Sequence, residues 1–423
     1  MKQHKGNFLR SILFGILSAC LLFAVIMMRR DIRIREGFSP YGLSDPEEAV
    51  SAMSGSSSDS ENSGGETAAG SGYAVKTGST VTSDSSESVS AESVSSSSEN
   101  YPDISDQNGT VTISAAGDCT LGTDENFDPS GSFDTVYDSV GDPSYFFSKV
   151  RDVFANDDLT IVNLEGTLTD STDRQDKTYA FKGDPSYTEI LTDGSVEAVN
   201  LANNHSHDYG DESYEDTVEN LKEADITSFG YDSSPVIEVN GIRIGLVGTY
   251  ELADGIDCKD DMLQQIKSVR ENGASLVIVS FHWGTERADY PDDTQVELAH
   301  AAIDAGADLV LGHHPHVLEG IETYHGRKIV YSLGNFCFGG NNNPADKDTM
   351  IYQQTFHIQN GKVSYSDSDT EEDSDVRILP CSISSSSSRN NFQPVVLTGE
   401  EATRVQERIR ELSDGLSTDP DPG

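Results

Sequence analysis

Short apolar runs alternate with stretches of helical spacing between residues 109 and 397 of the chain. Runs rich in β-branched and aliphatic residues predict buried strands over residues 111–115, 159–162, 276–281 and 309–311. Apolar positions that recur every three or four residues predict helices over residues 145–154, 186–191, 214–224, 262–271 and 294–305. This regular alternation of strands and helices indicates an α/β fold.

Tight-turn dipeptides within the same region indicate that some strands pair directly with their neighbours in sequence. They are Asn240-Gly241, His325-Gly326 and Asn360-Gly361, and each lies between two apolar runs. Asn-Gly in this setting is the strongest short-range hairpin signal. Hairpins among helix-connected strands predict sheets with both parallel and antiparallel pairs, and they argue against a plain dinucleotide-binding domain.

The N-terminal segment has a different pattern. Residues 12–28 are apolar and uncharged, and Arg29 and Arg30 follow them. About 18 apolar residues is close to the minimum for one membrane span, so residues 1–30 are predicted to form a membrane anchor. A cleaved signal peptide is the alternative, although no small-x-small site precedes the two arginines. Lysine and arginine flank both ends of the run, so the positive-inside rule leaves the orientation open.

Residues 31–108 are dominated by serine, glycine, threonine and acidic residues. Such a segment cannot bury enough apolar area to offset the entropy lost on ordering, so it is predicted to be a disordered linker. The folded domain is predicted over residues 109–398. Residues 399–423 are predicted to form a weak helix and a flexible tail.

The formal net charge of the 423-residue chain is -44. A surface that follows nucleic-acid phosphates needs an excess of basic residues, so this charge argues against nucleic-acid binding. The five cysteines show no CxxC spacing, which gives no indication of a thiolate zinc site or of a disulfide framework.

Polar side chains that can bind metal follow the predicted strands at the points where those strands end. They are Asp118, Glu165, Asn204 with His205, His282, and His314 with His316. In open α/β sheets, ligands bind at the carboxyl ends of the strands. Carboxylate, amide and imidazole groups suit zinc, manganese or iron, and magnesium where oxygen ligands dominate. Their convergence on one sheet edge predicts a site for divalent metal of undetermined identity.

Six ordered motifs carry a resemblance to the CapA family of capsule-synthesis proteins, which is associated with poly-γ-glutamate. The motifs are Gly117-Asp118, Asn163-Leu-Glu-Gly166, Asn200-Leu-Ala-Asn-Asn-His205, His282-Trp-Gly, Gly312-His-His-Pro-His-Val317 and Tyr331-Ser-Leu-Gly-Asn-Phe336. The family is similar in fold to the calcineurin-like metallophosphatases. This resemblance implies a four-layer sandwich of two mixed β-sheets flanked by helices. It also implies an anchored protein with its C-terminal domain outside the cell.

The resemblance further implies a role for each motif residue. The implied metal ligands are Asp118, Glu165, Asn204, His282, His314 and His316. His205 resembles the histidine that donates a proton to the leaving group, a general acid. Asp208 and Glu286 are expected to hold imidazoles in the required tautomer.

Two positions depart from the metallophosphatase pattern. Thr120 stands where a histidine ligand to the first metal is usual, and Glu165 replaces an aspartate at the bridging position. The first-metal side is therefore expected to be short of one ligand. His207 and His313 stand next to better-placed histidines and are expected to be bystanders.

These features support a metal-dependent hydrolase-type site in an anchored component of capsule or poly-γ-glutamate synthesis. The expected partners are the bilayer, a membrane polyglutamate synthase complex and the anionic polymer. One alternative is a non-catalytic polymer-handling or assembly component that keeps a degenerate metallophosphatase site. Another is a simple phosphoesterase unrelated to capsule.

Overall fold

The computed structural model describes residues 103–364 and 375–416. The described strands are β1 (Gly109–Thr120), β2 (Leu159–Leu164), β3 (Thr167–Leu168), β4 (Lys182–Gly183), β5 (Ala198–Asn200), β6 (Thr227–Phe229), β7 (Val236–Val239), β8 (Ile242–Tyr250), β9 (Leu276–His282), β10 (Leu309–His313), β11 (Ile321–Tyr324), β12 (Arg327–Val330), β13 (Asn335–Phe338), β14 (Asp348–Gln359), β15 (Lys362–Ser364), β16 (Val376–Ser382) and β17 (Val395–Val396). The α-helices are α1 (Phe133–Val140), α2 (Arg151–Phe154), α3 (Thr188–Gly194), α4 (Gly210–Glu223), α5 (Glu251–Asp254), α6 (Lys259–Glu271), α7 (Asp293–Asp304) and α8 (Gly399–Ser413).

The strands form two large mixed sheets and one small one, which confirms the predicted mixed α/β fold. The first sheet has the order β17-β16-β14-β1-β2-β5-β6, with β13 paired to β1 and β15 to β14. The second has the order β11-β12-β10-β9-β8-β7, and β3 pairs with β4 separately. The central pairs are parallel, whereas β14, β16, β7 and β11 run antiparallel to their neighbours.

The two large sheets pack against each other through alternating apolar side chains. Ile113 and Ile161 of the first sheet share one buried cluster with Leu246, Ile278 and Leu311 of the second. Successive side chains on a strand point to opposite faces, so the intervening positions face outward. Burial of each such aliphatic side chain stabilises the fold by about 1.5–3 kcal/mol.

Helices cover the outward face of each large sheet. On the first sheet, Val162 packs in one buried cluster with Ile190 of α3 and Leu221 of α4. On the second sheet, Val279 packs with Ile266 of α6 and Leu298 of α7. The order of layers across the domain is therefore helices, sheet, sheet and helices.

Both ends of the described domain pack onto this core. Val405, Ile409 and Leu412 of α8 lie in the cluster between the sheets. Their spacing of four and three residues places them on one helix face. Gln107 is buried, and its amide donates to the carbonyl of Gly273 while its carbonyl accepts from the backbone of Arg243.

Residues 145–154, predicted as one helix, form a 3₁₀ turn (Pro143–Tyr145), further turns and the one-turn helix α2. Phe146, Phe147 and Phe154 are nevertheless all buried in one cluster, and this shared burial explains the helix-like spacing of the sequence. Among residues 103–364 and 375–416, none of the helices has the length and apolar character that a membrane span requires. The predicted anchor over residues 1–30 lies outside those ranges, as does most of the predicted linker.

Candidate metal centre

The ends of strands from both large sheets meet at one edge of the domain. Asp118 of β1 lies 3.1 Å from the Nδ1 atom of His316, in the segment that follows β10. Asn204, in the segment after β5, contacts the Nε2 atom of His282 on β9 through its Oδ1 atom at 2.8 Å. The side chains predicted to converge are therefore in contact across the boundary between the sheets.

An irregularity in β1 places Asp118 at this boundary. Ala115 pairs with Ile161 of β2, but Asp118, three residues on, pairs with Asn163, only two residues on. The extra residue is a β-bulge, which reverses the side-chain alternation and brings Asp118 to the face that Ala115 occupies. Gly117 permits the close approach of β13, because a Cβ atom there would lie 1.8 Å from the carbonyl oxygen of Gly334.

Glu165 follows β2 and is the most unusual side chain of the edge. It is fully buried, and neither carboxylate oxygen has a hydrogen-bond partner among the described residues. Its Oε1 atom lies 3.7 Å from Nε2 of His282, 3.8 Å from Nε2 of His316 and 3.9 Å from Nε2 of His205. Burial raises the pKa of Glu165 well above its ordinary value.

His314 and His316 lie in a turn after β10 with left-handed backbone, at φ values of 97° and 58°. Such values are costly for non-glycine residues and occur preferentially at functional sites. Burial lowers the pKa of His314 to about 3, so its imidazole is neutral and can bind metal. Burial opposes protonation of His316 too, but the charges of Glu165 and Asp118 outweigh it and raise the pKa of His316 to about 10. A metal ion bound by His316 would therefore have to displace a proton from its ring.

A carboxylate contacts the Nδ1 atom of His205. Its Nδ1 atom lies 2.7 Å from Oδ2 of Asp208, and the ammonium group of Lys177 donates to Oδ1 of Asp208 at 2.6 Å. The backbone N–H of Phe181 also donates to Asp208. Burial lowers the pKa of His205, while the negative charge of Asp208 acts in the opposite direction. The Nε2 atom of His205 lies on the other side of the ring, 3.9 Å from Oε1 of Glu165.

The donor set fits a divalent cation. Glu165, His314 and His316 each offer a ligand atom, and these atoms all lie within 4.8 Å of one another. Two ligands that are each about 2.1 Å from one cation lie roughly 3–4 Å apart, which matches the contacts of Glu165 with His282 and His316. A bound cation would also give the buried carboxylate of Glu165 the partner that the described chain does not supply.

Residues 112–340 match the family model described as "Bacterial capsule synthesis protein PGA_cap", and this match covers more than half of the chain. The chain belongs to this family. The family motifs lie at the sheet edge described above, and this result confirms the resemblance that the sequence carries.

Curated relatives include two capsule proteins of bacilli. The capsule biosynthesis protein CapA of Bacillus anthracis is 34% identical over 220 residues, which is 46% of this chain and 54% of that protein. The PGA biosynthesis protein CapA of Bacillus subtilis is 34% identical over 214 residues, or 45% and 56% of the two chains. A probable polyglutamine synthesis accessory protein of Mycobacterium tuberculosis is 30% identical over 209 residues, or 42% and 55%. The chain thus spans about half the length of the curated relatives it matches.

Solved structures resemble this PGA_cap family member at a low level. A hypothetical protein from Thermus thermophilus is similar with a TM-score of 0.39 and 15% identity, over 64% of this chain and 99% of that chain. The 5'-nucleotidase from Candida albicans is similar with a TM-score of 0.37 and 13% identity, over 71% and 57% of the two chains.

Three asparagine side chains form a hydrogen-bonded network, not predicted from the sequence, that contacts the candidate metal ligands. The side chain of Asn163 donates to Asp118 at 2.9 Å and lies 3.3 Å from Nδ1 of His282. Its carbonyl oxygen accepts from the side chains of Asn200 and Asn203 at 3.0 Å and 3.2 Å. All three asparagines stand in the motifs, but only the packing of β2 against β5 shows that they bond to each other.

Two further residues gain a role only from the structure. Lys177 lies in a loop without a recognisable motif and contacts Asp208 and the backbone carbonyl of Asn204. Asn335 of β13 contacts Nδ1 of His316 through its Oδ1 atom at 3.0 Å. The motif that contains Asn335 could have indicated this position, whereas nothing in the sequence indicates Lys177.

Some expectations from the sequence are not met. Glu286 is exposed and makes no hydrogen bond to a histidine within the described residues, although its negative charge helps to raise the pKa of Glu165 and of His316. His207, expected to be a bystander, stacks on Tyr214, and its Nδ1 atom lies 3.3 Å from Oδ1 of Asp211. His313, expected to be a bystander, is instead buried with its Nδ1 atom 3.4 Å from Asp118.

Proposed function

We propose that the protein is a membrane-anchored, extracellular component of capsule or poly-γ-glutamate synthesis with a metal-dependent hydrolase-type site. Membership of the PGA_cap family supports the role in capsule synthesis. The names of the two Bacillus relatives and the Mycobacterium relative, which refer to capsule, PGA and polyglutamine synthesis, support it further.

The strongest support for the proposed metal site is the environment of Glu165. A buried carboxylate without a hydrogen bond is strongly unfavourable, yet this one is enclosed by three imidazole groups with their Nε2 atoms 3.7–3.9 Å away. Divalent metal ions held by Asp118, Glu165, Asn204, His282, His314 and His316 would resolve this conflict. The bound metal would act as a Lewis acid toward an oxygen of the substrate.

In this proposal, His205 donates a proton to the leaving group of the substrate. Asp208 binds the Nδ1 atom of His205 and thereby fixes the ring so that Nε2 faces Glu165 and the metal ligands. A histidine oriented in this way can deliver a proton to a leaving group at Nε2. Lys177 neutralises part of the charge of Asp208 and brings a cation close to a site that would receive an anionic polymer.

The fold is proposed to be a variant of the calcineurin-like metallophosphatase sandwich, because the layer order and the strand-end ligands agree with that pattern. The anchor over residues 1–30 is proposed to hold the domain at the outer face of the membrane, and residues 31–108 to act as its tether. Fractionation of cells that express the full chain tests the anchor. Protease treatment of intact cells tests on which side of the membrane the domain lies.

A non-catalytic assembly role is the second candidate, and one observation favours it. Asp118 already contacts Asn163 and His316, and Thr120 adds no strong ligand, so the carboxylate of Asp118 has partners without a metal ion. Cells that carry Asn204→Ala or His205→Ala separate the two roles. Loss of polymer with normal protein levels supports catalysis, whereas normal polymer in both strains supports assembly.

Metal analysis of the full-length protein, freshly purified without chelators, tests the site itself. We expect bound transition metal in the wild type and less of it after His282→Ala or His314→Ala. A wild type without metal that also fails to take up added Mn²⁺ or Zn²⁺ would refute the ligand assignment.

A further inference from the structure

Thr120 leaves the Asp118 side of the site without an expected imidazole. Thr120 is fully buried two residues after Asp118, and its hydroxyl has no hydrogen-bond partner within the described residues. A neutral hydroxyl is a poor ligand for zinc, manganese or iron compared with an imidazole. A cation bound by Asp118 and His316 would therefore gain from a second nitrogen ligand supplied by another part of the chain.

His313 is an unusual buried histidine on this same side. Only 1% of its surface is exposed, and neither ring nitrogen has a hydrogen-bond partner among the described residues. Its Nδ1 atom lies 3.4 Å from Oδ1 of Asp118, within ion-pair range but without the alignment of a hydrogen bond. Leaving a buried polar group unpaired costs about 1–3 kcal/mol, so a ring with an unpaired Nε2 atom and only this long contact at Nδ1 favours a partner outside the protein chain.

The strand geometry directs His313 toward Asp118. Leu309 and Leu311 of β10 face the layer between the sheets. Alternation along the strand sends His313 to the same face. His313 also pairs in register with His282 of β9, whose ring lies at the site. Since the bulge in β1 aims Asp118 at this layer from the opposite sheet, the two side chains approach each other across the sheet boundary.

We infer that His313 is a metal ligand that replaces the imidazole absent at position 120. The separation of 3.4 Å between His313 Nδ1 and Asp118 Oδ1 falls in the range of roughly 3–4 Å expected for two ligands of one cation. The inference rests on the proposed metal site and adds a ligand from the second sheet on the Asp118 side. An added imidazole favours zinc, manganese or iron over magnesium.

This assignment has a structural consequence. A cation shared by Asp118 and His313 would connect β1 of the first sheet to β10 of the second. Metal binding would then resist separation of the sheets at this edge. A buried histidine with a purely structural role would have no such dependence on metal.

The test uses the full-length protein and Mn²⁺ or Zn²⁺ alone as the probe, with metal affinity and stoichiometry as the readouts. His313→Ala and the less disruptive His313→Gln are expected to weaken binding at least ~10-fold, as even indirect partners of metal ligands do. Addition of Thr120→His to His313→Ala is expected to restore binding. His357→Ala, at an exposed position, serves as the control and is expected to bind as the wild type does.

Circular dichroism of each variant checks that it is folded. If folded His313→Ala and His313→Gln proteins bind Mn²⁺ and Zn²⁺ as tightly as the wild type, His313 is not a ligand and the inference is overturned, while the proposed site stands. If the wild type itself binds neither ion, both the proposed site and this inference are overturned.

Discussion

The two halves of the candidate site differ in how completely their polar groups are paired. Around Asp208, both carboxylate oxygens have partners, namely Lys177, the backbone of Phe181 and His205. Around Glu165, both oxygens are buried without a hydrogen bond from the described residues. The paired half can keep its geometry without a ligand, whereas the unpaired half contains a buried carboxylate that a cation would pair. We therefore propose that the first half orients His205 and that the second half binds metal.

Glu165→Gln should produce the largest change, because it removes the central charge of the unpaired half. We expect nearly complete loss of tightly bound metal, measured by elemental analysis of the purified protein. Without metal, the variant should be at least as stable as the wild type, since a buried unpaired carboxylate has been replaced by a neutral amide. Glu238→Gln, at an exposed position on β7, is the control; equal metal content in all three proteins would contradict the assignment.

Asp208→Asn should affect the paired half alone. The amide cannot hold His205 as the carboxylate does, and general acid–base catalysis contributes about 10²–10⁴-fold to rates. We expect polymer production in complemented cells to fall toward that of the strain lacking the gene, with metal content unchanged. The exposed neighbour Asp211→Asn should behave as the wild type. A matching loss of metal in Asp208→Asn would show that the halves are not separable.

Removal of metal should lower stability by an amount set by mass action. At a free metal concentration 100-fold above Kd, binding adds about 2.7 kcal/mol to the free energy of unfolding. We expect a chelator to lower the Tm of the wild type and to leave the Tm of Glu165→Gln unchanged. If the chelator shifts both proteins equally, the stabilising ion binds elsewhere.

Glu319 lies outside both halves of the site, and its substitution should have the smallest effect. It tests whether burial of a carboxylate makes the stability of this protein depend on pH. Burial raises its pKa to about 8, although a hydrogen bond from Gln295 opposes the shift. The folded state then retains a proton that the unfolded state releases near pH 4.5, so stability falls as the pH rises from about 4.5 to 8. One pKa unit corresponds to about 1.4 kcal/mol. We expect a total loss of ~2 kcal/mol in the free energy of unfolding, less than the full shift implies, because the ionised carboxylate recruits water.

Denaturant titrations of Glu319→Gln and of the wild type at pH 5 and pH 8 measure this effect. The Glu319→Gln protein should lose the part of the pH dependence that the wild type shows between these values. Identical pH profiles for the two proteins would mean that Glu319 ionises normally in the folded state.

Much of the fold follows from local patterns in the sequence. Strands β1, β2, β9 and β10 lie where apolar runs predict them, and the hairpin of β7 and β8 turns at Asn240-Gly241 as expected. Local patterns do not reveal β13 and β16, because their pairing with β1 and β14 depends on residues far away in the sequence. The aromatic segment before β2 shows the converse case, in which shared burial imitates helical spacing.

The candidate site, too, is predicted only in part by local sequence patterns. Strand-end position predicts which side chains gather, since parallel strands bring their carboxyl ends together. The partners that hold those side chains come from elsewhere: Lys177 from an unmarked loop and His313 from a position next to a stronger candidate. The bulge that aims Asp118 is equally invisible in the sequence, because it is a matter of register between β1 and β2.

Anomalous diffraction from crystals of the full-length protein grown with Mn²⁺ or Zn²⁺ would locate the proposed ion directly. We expect an anomalous peak at the sheet edge, about 2.1 Å from a Glu165 carboxylate oxygen and from imidazole nitrogens of the neighbouring histidines. A map in which the ion is absent from this edge, while Glu165 makes ordinary hydrogen bonds to water, would contradict the proposed metal site.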